Sequence, residues 1–189
     1  TQLVDTAGKL SQNRRGALIV VDLGSDLRPE DFLYSGTNIQ AQLSTDLLIN
    51  LFATDTPLHD GAVLVKGNKI ISAGVILPLS RQGISRYGTR HLAALGITER
   101  FDRCICIVVS EETGTLSLAN QGKLERPITS SRLQELLAKL IGNQNSMGAN
   151  KASLSKNVSS HKTDSSDNII SDINKKESEK SEIFINKKD

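Results

Sequence analysis

The chain has 189 residues, 23 Lys and Arg against 21 Asp and Glu, and two cysteines. That length suffices for one domain with its own core and a remainder. The near-balanced charge gives no case for a nucleic-acid polymer as partner, and the absence of tryptophan argues against an aromatic base-stacking platform.

No run of about 18 apolar residues occurs, so no transmembrane helix is expected within these residues. No signal-peptide pattern is present. The chain opens on Thr1 rather than Met, and an upstream segment is expected. Leu3, Val4, Ala7 and Leu10 recur at helical spacing and predict a short amphipathic helix over 2–13. Arg14 and Arg15 read as its solvated end, with phosphate contact the less favoured alternative. Residues 17–22 are an apolar run closed by Asp22, which suits a buried strand, and 24–38 read as loop. Ser44 or Thr45 caps a helix over 46–53, with Leu47, Leu48, Leu51 and Phe52 on its apolar side.

Thr56-Pro57-Leu58-His59-Asp60-Gly61-Ala62 joins that helix to a strand. Pro57 biases Thr56 towards an extended conformation and so helps end the helix. Asp60 is a hard oxygen ligand suited to Mg²⁺ or Mn²⁺. Gly61 has no side chain to obstruct a ligand that approaches the backbone. Residues 62–65 and 70–77 then read as two strands around a tight turn at Gly67-Asn68. From the sequence alone Leu77 is core.

Gly88-Thr89-Arg90-His91 opens a helix that runs to about Ile97. A helix N-terminus offers unpaired N–H groups and partial positive charge, which favour phosphate. Thr89, Arg90 and His91 add side-chain donors. Residues 104–110 read as a buried strand. Cys104 and Cys106 sit two apart on it and point the same way, as core-filling thiols. Ser110-Glu111-Glu112-Thr113-Gly114 turns the chain, 115–119 return as a partner strand, and 120–123 turn again. Ser110 can donate to a phosphate, and Glu112 can add a carboxylate to a cation held by Asp60. A capped amphipathic helix covers 129–141, with Gly142 as its stop. The 47 residues from Asn143 onward hold 10 Ser, 7 Asn and 8 Lys. They cannot bury enough surface to order themselves and read as a disordered tail, 143–189. Short docking segments near 169–173 or 183–185 are the alternative there.

The three turns occur in this order, each at the edge of a predicted element. With connecting text such as Lys66-Gly67-Asn68-Lys69 and Leu77-Pro78-Leu79-Ser80, they resemble the diadenylate cyclases, which condense two ATP into cyclic di-AMP. The resemblance runs from about Leu3 to Ile141. It is strongest to the membrane-anchored CdaA type, whose members carry membrane helices ahead of the catalytic domain.

The resemblance implies an α/β fold, a central mixed parallel and antiparallel sheet flanked by helices, in a catalytic domain over 1–142. It implies Asp60, Thr89, Arg90 and His91 as catalytic residues. It implies ATP contacts from Gly61, Ala62, Leu77, Gly88, Thr89, Arg90, His91 and Ser110. Mg²⁺ or Mn²⁺ would sit on Asp60 and Glu112. His59 either assists the metal or orients Asp60, a choice left open. A homodimer meeting face to face, each protomer with one ATP, and a place at the cytoplasmic face of the membrane are also implied. One departure stands out. The family pattern is Arg-His-Arg, and here it is Arg90-His91-Leu92. The lost charge removes a phosphate contact unless a neighbour such as Arg86 replaces it, or it marks a catalytically weak ATP-binding regulatory module.

Overall fold

A computed structural model of the chain describes residues 1–82 and 86–142. The predicted tail and its docking segments lie outside the described residues. In chain order the elements are α1 (Gln2–Gln12), β1 (Ala17–Asp22), β2 (Thr37–Gln42), α2 (Thr45–Leu51), β3 (Ala62–Lys66), β4 (Lys69–Val75), α3 (Thr89–Arg100), β5 (Cys104–Val109), β6 (Leu116–Asn120) and β7 (Lys123–Ile128). A further helix, α4, covers 130–142. The strands form a seven-stranded sheet in the order β2-β4-β3-β1-β5-β6-β7. β1 and β3 pair in parallel, and the remaining pairs are antiparallel. This is the mixed sheet that the sequence leads one to expect.

The sheet is covered on both faces, and strand alternation explains how. Ala17, Ile19 and Val21 of β1 and Ile105, Ile107 and Val109 of β5 join one core with Leu3, Ala7 and Leu10 of α1, Leu48 of α2 and Leu133 of α4. Leu18 and Val20 of β1 and Cys104, Cys106 and Val108 of β5 point the other way. They join Ala93, Ala94 and Ile97 of α3. Strands buried on both faces read as continuous apolar runs, and every residue of β1 and β5 is buried. Both cysteines are buried free thiols, and burial pushes the Cys106 thiol well up.

The helix predicted over 46–53 is shorter. Ser44 is its cap, accepting from the Leu47 N–H at 3.2 Å, and Phe52 closes it. The strand end at Asp22 has a reason. Its buried carboxylate accepts from the N–H groups of Gly24 and Ser25 at 2.8 and 2.7 Å and pairs with Lys66 at 3.3 Å.

Two elements differ from the sequence expectation. Part of the predicted loop 24–38, with the residues after it, forms edge strand β2. The chain after the predicted turn 120–123 continues as the opposite edge strand, β7. Both are polar because one side of each faces water, so neither shows an apolar run.

Candidate active site

The N-terminal ends of β1 and β3, the C-terminal end of β5 and the first turn of α3 meet at one edge of the sheet. A cleft of about 820 Å³ opens there, within the usual size range of small-molecule sites. His59, Asp60, Gly88, Thr89, Arg90, His91, Ser110 and Glu112 all line it. The three turns, far apart in sequence, are thus brought together. Gly61, Ala62 and Leu77 are not on the lining. Ala62 and Leu77 are buried at 0% and 3% exposure in the α3-side core. Arg14 and Arg15 do not line the cleft either.

The turn before β3 is stapled to itself. The Thr56 hydroxyl donates to the Ala53 carbonyl at 2.8 Å. The His59 Nδ1–H donates to the Thr56 carbonyl at 2.6 Å. A ring that donates from Nδ1 keeps Nε2 as its acceptor or ligand atom when neutral. No bond joins His59 to Asp60, so the orienting role for His59 has no contact behind it among the described residues. Asp60 is exposed and has no hydrogen-bond or ion-pair partner among the described residues.

Gly61 stands at φ +150°, and a Cβ there would lie 2.7 Å from the Gly74 backbone. The space that glycine leaves free is therefore filled by the neighbouring strand. That is a packing reason for this glycine, different from the ligand approach read from the sequence.

Gly88 is the N-cap of α3, and no side-chain bond caps the helix. Thr89, its first residue, is exposed, so its hydroxyl is not spent on capping. The N–H groups of His91 and Leu92 donate to the Gly88 carbonyl at 3.0 and 3.1 Å, whereas those of Thr89 and Arg90, both on the cleft lining, have no carbonyl one turn earlier. Arg90 is held by Glu111, Nη1 to Oε2 at 2.8 Å. A Cβ on Gly16 would lie 2.6 Å from the same Nη1, so glycine at 16 makes room for the guanidinium. His91 is buried, with Nε2 at 3.1 Å from the Ser117 hydroxyl. Burial first, and then the charge of Arg126, hold its pKa below 6.5. It is neutral at pH 7 and acts as a hydrogen-bonding group, not a cation. Ser110 Oγ accepts from the Thr113 N–H at 3.3 Å, which leaves its own proton to donate. Leu92 is 7% exposed and off the lining, so nothing charged enters the cleft from that position.

Five lining residues escaped the sequence reading as site residues: Gly16, Thr54, Val108, Val109 and Arg126. Arg86, raised there as a substitute cation, does line the cleft. Among the described residues no group of three or more His, Cys, Asp or Glu side chains is placed to hold a metal. The donors on the cleft are instead Asp60, Glu112 and the free Nε2 of His59. One or two carboxylates completed by substrate phosphates are what Mg²⁺ ordinarily takes, so the donor set fits such an ion arriving with a nucleotide.

The family model described as DisA bacterial checkpoint controller nucleotide-binding (DAC) matches residues 4–124. The chain belongs to the DAC family. This DAC domain is 47% identical over 132 residues to a protein of Listeria monocytogenes serotype 1/2a (strain 10403S) named diadenylate cyclase, covering 69% of this chain and 47% of that one. It is 43% identical over 130 residues to the Bacillus subtilis (strain 168) cyclic di-AMP synthase CdaA, covering 68% and 46%. Its fold matches a crystal structure of DacA from Staphylococcus aureus with a TM-score of 0.67 at 37% identity, covering 74% of this chain and 93% of that one. The DAC chain thus spans about half the length of these curated relatives. No helix among the described residues is long and apolar enough to cross a membrane.

Proposed function

We propose that residues 1–142 form the catalytic domain of a diadenylate cyclase, which joins two ATP into cyclic di-AMP and releases two pyrophosphates. The observation that carries this reading is the single cleft that gathers Asp60, Glu112, Ser110 and the open first turn of α3. Membership of the DAC family supports it, as do the names of the relatives.

In the reaction the 3′-hydroxyl oxygen of each ATP attacks the α-phosphorus of the other. Two O–P bonds form, two bonds between α-phosphorus and the bridging oxygen break, two pyrophosphates leave, and two protons pass to solvent. Such transfer needs alignment and charge stabilisation more than covalent help. The Thr89 hydroxyl and the N–H groups of Thr89 and Arg90 hold the triphosphate. Arg90 keeps donors free beyond the Nη1 that Glu111 holds, because a guanidinium carries five. Ser110 donates its hydroxyl proton, and neutral His91 adds a hydrogen-bonding ring. Asp60 and Glu112 would hold Mg²⁺ or Mn²⁺, with His59 Nε2 as a further donor. When bound, the ion neutralises phosphate charge and lowers the pKa of the attacking hydroxyl.

One cleft serves one ATP, and the product is two-fold symmetric. Two protomers therefore meet face to face. The similarity to CdaA supports a membrane tether through an upstream segment, with the domain in the cytoplasm.

The test incubates the purified chain with ATP, once with Mn²⁺ and once with Mg²⁺, at several protein concentrations, and separates products by mass. The expected result is cyclic di-AMP whose rate rises more steeply than linearly with protein, and its loss in Asp60→Asn. ATP bound but unconverted at every concentration would overturn the catalytic reading and leave an ATP-binding module.

A further inference from the structure

The cleft is not electrically uniform. Asp60 stands at its β3 end. Arg126 belongs to β7, the outermost strand on the other side. Those strands lie four pairings apart, roughly 19 Å at the usual strand spacing. Helix α3 packs across β1, β5, β6 and β7, and its first turn lines the same cleft. The cleft therefore runs from a carboxylate end to a guanidinium end.

Arg126 differs from its neighbours in how it is held. Arg90 pairs with Glu111, and Arg132 pairs with Glu125 and Glu135. Glu125 adjoins Arg126 in sequence, yet it is engaged by Arg132. Arg126 has no carboxylate partner among the described residues. Its guanidinium rests 5.5 Å from the centre of the Tyr87 ring and lines the cleft beside the first turn of α3. Cation–π contact holds a guanidinium in place without spending its N–H donors on an acceptor. Five donors in a planar fork are thus presented to whatever anion enters.

We propose that Arg126 is a substrate-binding residue that holds the β- and γ-phosphates of ATP, the part that leaves as pyrophosphate. This deepens the cyclase reading and rests on it. With the reacting α-phosphate on the Asp60 side of the α3 N-terminus, the two outer phosphates extend towards β7. Arg126 thereby supplies from an edge strand a cation that Leu92 does not supply from α3. The guanidinium donates to pyrophosphate oxygens as charge builds on the leaving group.

The test measures binding of inorganic pyrophosphate, ATP and AMP to the full chain with Mg²⁺ by calorimetry, in the wild type, Arg126→Gln and Arg126→Lys. Cyclisation is followed in parallel, and thermal unfolding checks that the variants fold. The expected result is a loss of about ten- to a hundredfold in pyrophosphate and ATP affinity in Arg126→Gln, the scale of one charge-assisted hydrogen bond. AMP affinity should stay within about twofold, and Arg126→Lys should recover part of the loss. Equal pyrophosphate affinity in wild type and a folded Arg126→Gln would overturn the proposal, as would an equal loss for AMP. The cyclase reading fails separately: a wild type that binds ATP and pyrophosphate but makes no product refutes that reading, while the affinity pattern still decides the role of Arg126.

Discussion

Replacing Gly61 with alanine asks what glycine does in the turn before β3. At φ +150° a residue with a side chain is strained by about 1–3 kcal/mol. The new Cβ would also lie 2.7 Å from the Cα and carbonyl carbon of Gly74 and 3.0 Å from the Val75 nitrogen. Those are backbone atoms of β4, so relief requires β3 and β4 to move apart. Overpacking of this kind adds roughly 1–3 kcal/mol. The sum is about 2–6 kcal/mol, a large share of the ~5–15 kcal/mol that holds a typical domain folded.

Gly74→Ala is the internal comparison. Its φ of +70° is also unfavourable for alanine, at about 1–2 kcal/mol. Its Cβ would meet only Leu58 Cδ2 at 3.6 Å, an ordinary contact. At about 4 °C per kcal/mol for a domain of this size, Gly61→Ala should lower Tm by roughly 8–24 °C and Gly74→Ala by about 4–8 °C. Circular dichroism melts and urea midpoints on both variants give the answer. A Gly61→Ala protein that melts no lower than Gly74→Ala would refute the packing argument and return the glycine to a role in ligand approach.

The His91 pKa lies below 6.5 in the folded chain, chiefly through burial and then through Arg126. The unfolded chain then binds more protons between that lowered pKa and 6.5, so stability falls as pH drops through this window. Urea midpoints between pH 7.5 and 5.5 should fall less in His91→Gln than in wild type, and parallel slopes would contradict the assignment. Ser44→Ala removes the acceptor for the Leu47 N–H and should cost about 1 kcal/mol, read as a Tm lowered by roughly 4 °C. Excess EDTA should abolish cyclic di-AMP formation while moving Tm by no more than about 2 °C, because the described residues build no metal cage that the fold depends on. A large drop in Tm on chelation would show that the ion is structural.

The centre of the sheet was legible in the sequence because both of its faces are buried, so β1 and β5 read as apolar runs without interruption. The edges were not. β2 reads Thr-Asn-Ile-Gln-Ala-Gln, with a register shift between Asn38 and Ala41 and Gln40 at φ +50°. β7 carries Pro127, which a sheet tolerates at an edge. The three turns were legible because each puts unusual chemistry at the end of an element. Arg126 was not, since it belongs to no motif and reaches the cleft only because β7 folds back along β6. A polar run of strand length after the Gln121-Gly122 turn was the available signal. The packing of Gly61 on Gly74 was equally hidden, because it depends on how β4 lies against β3.

The character of the two outer strands bears on how such a domain finds its partner. The proposed reaction requires two copies of the domain to meet, and a domain of that kind is exposed to meeting its twin wrongly, through edge strands that add side by side into a growing ribbon. The irregular backbone of β2 and the missing donor at Pro127 in β7 make both flanks poor templates for that growth. Encounters between copies are steered away from open-ended stacking, which leaves the way clear for the closed pair that the proposed reaction requires. Straightening β2, by removing the extra residue at its kink, is the change that would put this safeguard to trial: light scattering would then report assemblies that lengthen with concentration, which the unaltered edge should not form.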